Sequence, residues 1–150
     1  MKLFLVRHGE YIPETINPEK PLSDKGKSDI EKIGQQLKDS GFTVDEIFHS
    51  GKLRAKQTAE ILAKYILKND KISQQEGLNP NDNVEPWAEK ISTTNHDLML
   101  VGHLPFMAEL SALLINGDQY KFAMEFNPGT IAVLSKNQKG KWSLVKILRP

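Results

Sequence analysis

Short runs of four or five apolar residues alternate along this chain with longer stretches whose apolar positions recur every three or four residues. The first kind reads as buried parallel strands, the second as amphipathic helices. Leu3 to Val6 is the first strand of this kind, and it ends in Arg7-His8-Gly9-Glu10. The segment YIPETINPEKP follows; its prolines and polar groups exclude a regular helix and predict a loop near the strand end, walling one side of it. Ser23 then reads as an N-cap, with Ile30, Ile33 and Leu37 at helical spacing and Ser40-Gly41 as the stop. Phe42 to Ser50 contains a second strand, Glu46 to His49. Leu53 to Leu67 carries Leu53, Ala59, Leu62 and Ile66 on one stripe, while Ala55 and Ala63 permit close approach to a sheet.

Lys71 to Gln75 predicts a short edge strand, and EGLNPNDNVEPW is turn-rich and acidic before a modest helix built on Val84, Trp87 and Ile91. Asp97 to Val101 repeats the opening pattern and ends in Gly102-His103. Pro105 opens a further apolar helix, Phe106 to Ile115, closed by Asn116-Gly117. Thr130 to Ser135 and Trp142 to Leu148 are β-rich and joined by the polar turn Lys136 to Lys141, a hairpin. The pattern predicts an α/β three-layer sandwich: a mostly parallel central sheet, helices on both faces and a C-terminal β-hairpin, in a single domain over residues 1–150.

Composition narrows the function classes. A formal net charge of +1 offers no general attraction to nucleic acid or to an anionic membrane, so anion binding has to come from a local cluster. The absence of cysteine removes disulfides, zinc-thiolate sites and cysteine nucleophiles. No apolar run approaches the length of a membrane span, and Met1-Lys2 leads straight into a strand rather than a signal sequence, so the expectation is a cytoplasmic protein; a monomer is expected as well.

Three strand-to-helix junctions each carry a cationic or potentially cationic residue: Arg7-His8, Arg54 and His103. In an open parallel sheet the C-terminal strand ends share one edge, so these junctions converge. Arg offers a planar fork of donors to phosphate oxygens, His can attack phosphorus through a ring nitrogen, and Gly9 lets the backbone approach closely. Arg54 falls in the first turn of its helix, where a cation is unfavourable unless something negative sits there; either an anion or a surface carboxylate answers that need. Glu10 either orients the pocket or pairs with a neighbour. His96 reads as a surface turn residue, His49 as a packing or capping group, and Trp87 and Trp142 as core or hairpin packing.

Taken together, the residues resemble the histidine phosphatase superfamily, the phosphoglycerate-mutase-like fold. Arg7-His8-Gly9-Glu10 matches its opening motif, and Pro21-Leu22-Ser23 with Gly26 matches its following loop and helix start. Ser50 with Leu53-Arg54-Ala55 and Gln57-Thr58 matches the second motif, and Val101-Gly102-His103 the late histidine motif. The short length and Leu104-Pro105 after His103 look most like the SixA-type phosphohistidine phosphatases. The resemblance implies a nucleophilic His8 that forms a phosphohistidine enzyme, which water then hydrolyses. Arg7, Arg54 and His103 would bind the phosphoryl oxygens, with Gly9 and Leu104 also touching substrate. At about 5 Å and an effective dielectric near 20, each cation is worth about 3 kcal/mol to a unit anion. Those cations should also keep His8 neutral, and fixed positive charge would take the place of a metal ion, so neither metal nor cofactor is expected.

A carboxylic acid between the second helix and the late strand would serve ester substrates; Glu76 is the first candidate, and Asp82 and Glu85 read as solvated turn residues. The resemblance favours phosphohistidine on a protein as substrate, because no long insertion covers His8. Small phosphate esters are the alternative within the same chemistry. A phosphoprotein-binding module without turnover is the alternative outside it, disfavoured because His8 and all three phosphate-binding residues are present.

Overall fold

The computed structural model describes residues 1–150. Strands β1 (Lys2–Arg7), β2 (Glu46–His49), β3 (Ile72–Gln74), β4 (Leu98–Gly102), β5 (Ile131–Lys136) and β6 (Trp142–Leu148) form one sheet in the order β3-β2-β4-β1-β5-β6. The first four strands are mutually parallel; β5 runs antiparallel to β1, and β6 antiparallel to β5. Helices α1 (Asp24–Asp39), α2 (Leu53–Ile66), α3 (Glu85–Ser92) and α4 (Phe106–Asn116) fill the connections.

The period-two geometry of a strand sorts β1 between two cores. Leu3 and Leu5 join Leu98, Leu100, Trp87, Ile91, Phe106 and Leu110 under α3 and α4. Phe4 and Val6 join Met99, Val101, Ile33, Leu37, Ala59 and Leu62 under α1 and α2. An apolar residue at every position from Leu3 to Val6 is therefore required, and the three layers are those the pattern predicts. Trp87 and Trp142 are both in the first core, as expected.

Element ends follow their caps. The Ser23 side chain accepts the Gly26 N–H at the start of α1, and Gly117, in the left-handed region at φ 74°, stops α4. Gly26 also has a steric role: a Cβ there would lie 2.1 Å from the Glu10 carbonyl oxygen, so only glycine lets the first turn of α1 press against the exit from β1. β5 begins one residue later than the apolar pattern suggests, with a register irregularity between Val133 and Leu134. No helix is long and apolar enough to cross a membrane.

Candidate active site

The sheet register brings the junction residues side by side. Arg7 is opposite Gly102, and the His8 N–H extends the ladder to the Gly102 carbonyl at 2.9 Å. On the other side of β4, His49 is opposite Val101, which carries Ser50 to the same edge. The rings of His8 and His103 consequently lie 5.0 Å apart, centroid to centroid. Both are buried, at 4% and 2% exposure.

His8 Nδ1 is 2.9 Å from the Gly9 carbonyl oxygen. A carbonyl only accepts, so Nδ1 carries the hydrogen and Nε2 keeps its lone pair. The imidazole is pushed down from 6.5 to about 4, first by burial and then by Arg54 and Arg7, against the opposing pull of the Gly9 hydrogen bond. Neutrality of His8 was expected from the cations alone; the structure makes desolvation the larger cause. His103 is pushed lower still, to about 3, by burial, His8 and the surrounding cations.

Arg7 donates from Nη1 to the Phe126 carbonyl at 3.0 Å. Arg54 lies over the Tyr11 ring, its guanidinium carbon 5.2 Å from the ring centroid. Neither guanidinium has a carboxylate partner. This resolves the two readings of Arg54 against the surface ion pair. Buried Arg7 Nε, Arg54 Nε and His103 Nδ1 have no hydrogen-bond partner in the protein. Two uncompensated cations and three unpaired buried polar atoms around one imidazole suit an oxyanion.

The surrounding hydrogen bonds fix these groups. Thr58 Oγ1 donates to the Arg54 carbonyl at 2.8 Å and accepts the Gly9 N–H at 3.1 Å, joining α2 to the β1 exit. Gln57 Oε1 accepts the Leu22 N–H at 2.7 Å. Ser50 Oγ accepts the Lys52 N–H at 3.4 Å and lies 2.6 Å from His103 Nε2. Ser50 Oγ thus engages Nε2 and leaves Nδ1 as the ring nitrogen of His103 without a protein partner.

The remaining residues sort clearly. Glu10 accepts from Ser23 Oγ at 2.6 Å, so it serves the α1 cap. His49 Nδ1 accepts the Gly51 N–H at 3.0 Å, a capping role, and His96 pairs with Glu46 at the surface. Gly9 packs beside Leu22 and Ile30, and Leu104 packs against the α3/α4 core next to His103. Glu76 is exposed; its carbonyl accepts from Trp87 Nε1, and it lines a cavity with Gln74, Gln75, Pro86, Trp87 and Lys90, apart from the four residues grouped above. Tyr11, edge-on to His8 at 5.3 Å, went unread in the sequence. Only its place in the loop after the opening motif hinted at it. No three His, Cys, Asp or Glu side chains converge to hold a metal ion.

Comparison with known proteins places this geometry. Residues 3–82 match the family model of the histidine phosphatase superfamily (branch 1). An uncharacterised protein of Picosynechococcus sp. is 31% identical over 125 residues, covering 78% of this chain and 74% of its own length. The mitochondrial serine/threonine-protein phosphatase PGAM5 of Mus musculus is 25% identical over 91 residues, 57% of this chain but only 32% of that protein. Among solved structures, the protein histidine phosphatase SixA complexed with tungstate superposes with a TM-score of 0.86 at 20% identity, covering 99% of this chain and 96% of that one. A putative phosphohistidine phosphatase SixA from Agrobacterium tumefaciens gives 0.80 at 24% identity, covering 99% and 97%. At those identities the structures establish a shared fold, and the family match establishes membership: the chain belongs to the histidine phosphatase superfamily, branch 1.

Proposed function

We propose that this protein is a phosphatase that removes the phosphoryl group from phosphohistidine on a protein through a phosphorylated His8. The observation that carries the reading is the His8 ring itself: Nδ1–H is committed to the Gly9 carbonyl, leaving a neutral Nε2 on a ring that feels the charge of two guanidinium groups with no carboxylate partner. In the first step Nε2 attacks phosphorus, a new P–N bond forms, and the P–N bond to the substrate imidazole breaks. The departing ring takes up a proton from solvent. In the second step water attacks phosphorus, the P–Nε2 bond breaks, inorganic phosphate leaves with the protons of the water, and His8 returns to its neutral form with Nδ1 still protonated. Arg7 and Arg54 stabilise charge spread over the equatorial oxygens, and His103 donates from Nδ1. The fixed guanidinium charges supply this stabilisation without a metal ion, which makes the proposed reaction metal-independent.

An imidazole leaves far more readily than an alkoxide, so this substrate asks little of a general acid. That suits a structure in which Glu76 lines a cavity to which none of the four residues contributes. SixA, with the same fold, is described as a protein histidine phosphatase and binds tungstate, a tetrahedral oxyanion; both properties support the reading.

The experiment pairs a trapping assay with a comparison of substrates. A labelled phosphohistidine protein should leave an acid-labile adduct on the parent and none on His8→Ala. Turnover of that protein should exceed turnover of simple phosphate esters. A reversed preference, with the ester activity lost in Glu76→Gln, assigns the site to small esters with Glu76 as acid. Binding that survives His8→Ala, with no turnover by the parent, assigns it to a binding module.

A further inference from the structure

We propose that Tyr11 is a positioning residue for Arg54, holding the guanidinium by its aromatic face so that the full positive charge is left for the oxyanion. The inference rests on the reading of the site as an oxyanion site, and not on the identity of the substrate. A functional arginine has to be oriented by something. The usual device is a carboxylate, which gives good geometry but neutralises the charge and competes with the bound anion. Arg54 has no such partner, no side-chain hydrogen bond to the protein, and a buried unpaired Nε. The defined contact on its guanidinium is the Tyr11 ring at 5.2 Å. An aromatic quadrupole attracts a cation without carrying net charge, so it fixes position while leaving the field intact.

The backbone that carries the ring is well fixed, while the ring itself is partly exposed, at 37%. Tyr11 bridges antiparallel to Leu22, with the Ile12 N–H on the Pro21 carbonyl at 2.8 Å and the Ser23 N–H on the Glu10 carbonyl at 3.0 Å. The Leu22 N–H is in turn held by Gln57, one turn along α2 from Arg54. The loop bearing the aromatic face and the helix bearing the cation are thus tied together by a direct hydrogen bond. The same ring stands edge-on to His8 at 5.3 Å, which places Arg54 and the imidazole around one aromatic ring.

The test is inorganic tungstate affinity, by calorimetry, for the full chain and for Tyr11→Phe, Tyr11→Ala, Tyr11→Leu, Arg54→Ala and the Tyr11→Ala/Arg54→Ala pair. Tyr11→Phe keeps the face and should bind within about twofold of the parent, while Tyr11→Ala should weaken binding about tenfold. In the Arg54→Ala background, Tyr11→Ala should add no further loss. Tyr11→Leu fills the space without a quadrupole and should behave as Tyr11→Ala; it replaces that variant in the comparison if Tyr11→Ala fails to fold. Equal losses in Tyr11→Phe and Tyr11→Ala, or a Tyr11→Ala loss repeated in full without Arg54, overturn the proposal. A parent that binds tungstate no better than Tyr11→Ala and Tyr11→Leu overturns it alone, whereas a parent that binds none overturns the oxyanion reading with it.

Discussion

Acid should destabilise this protein through the two site histidines, and the size of the effect follows from their surroundings. His8 and His103 are held at about 4 and about 3, mainly by burial. Unfolding returns both rings to water, where each protonates near 6.5. Between those values the unfolded chain binds more protons than the folded one, so stability rises with pH. The contribution is fully present above about pH 6.5 and is lost as the pH falls toward the folded values. Taking the protein from pH 7.5 to 4.5 should remove about 2–3 kcal/mol through His8, and a similar amount through His103. The two rings repel each other when charged, so their losses are coupled rather than strictly additive. Against a typical stability of about 5–15 kcal/mol, this is a large fraction. The assay is urea unfolding followed by circular dichroism at both pH values for the parent, His8→Asn and His103→Asn. Carboxylate titration is common to all three, and asparagine does not titrate. Each variant should lose about 2 kcal/mol less than the parent over the interval. Parallel losses in the parent and His8→Asn would falsify the claim that His8 is buried in its neutral form, and with it the ground for a nucleophilic Nε2.

Two further outcomes test the machinery. Arg54→Ala should lower the turnover rate by about 10² or more, as removal of a transition-state donor usually does; an unchanged rate in steady-state assays would remove Arg54 from the site. Thr58→Val keeps the shape but leaves the buried Gly9 N–H without an acceptor, so urea unfolding should show a loss of about 1–3 kcal/mol; a stability equal to the parent's would mean another group accepts from Gly9.

Much of this architecture is written locally. The unbroken apolar runs at Leu3 to Val6 and Leu98 to Val101 announce strands covered on both faces, and Ser23 and Gly117 mark helix ends by their own backbone chemistry. Those signals depend on residues a few positions apart, which is why they can be read along the chain. The same locality made His8, Arg7, Arg54 and His103 recognisable, because each closes a strand or opens a helix at a predictable edge.

What the linear order could not supply was anything fixed by contact across tens of residues. Glu10 had two readings until the α1 cap claimed it, and Arg54 had two until its surroundings proved free of carboxylates. Tyr11 lies in a loop without periodicity, so only the antiparallel closure of that loop on Leu22 reveals that its ring meets both His8 and Arg54. The protonation state of His8 was expected for a partly different reason, since the sequence displays nearby charges but not the depth of burial that outweighs them. The sequence by itself determined which strand and helix ends meet at one edge of the sheet. Tertiary structure decided how the side chains there are oriented and which nitrogen of His8 carries its proton, because strand register and desolvation are properties of the packed chain and not of any short segment of it.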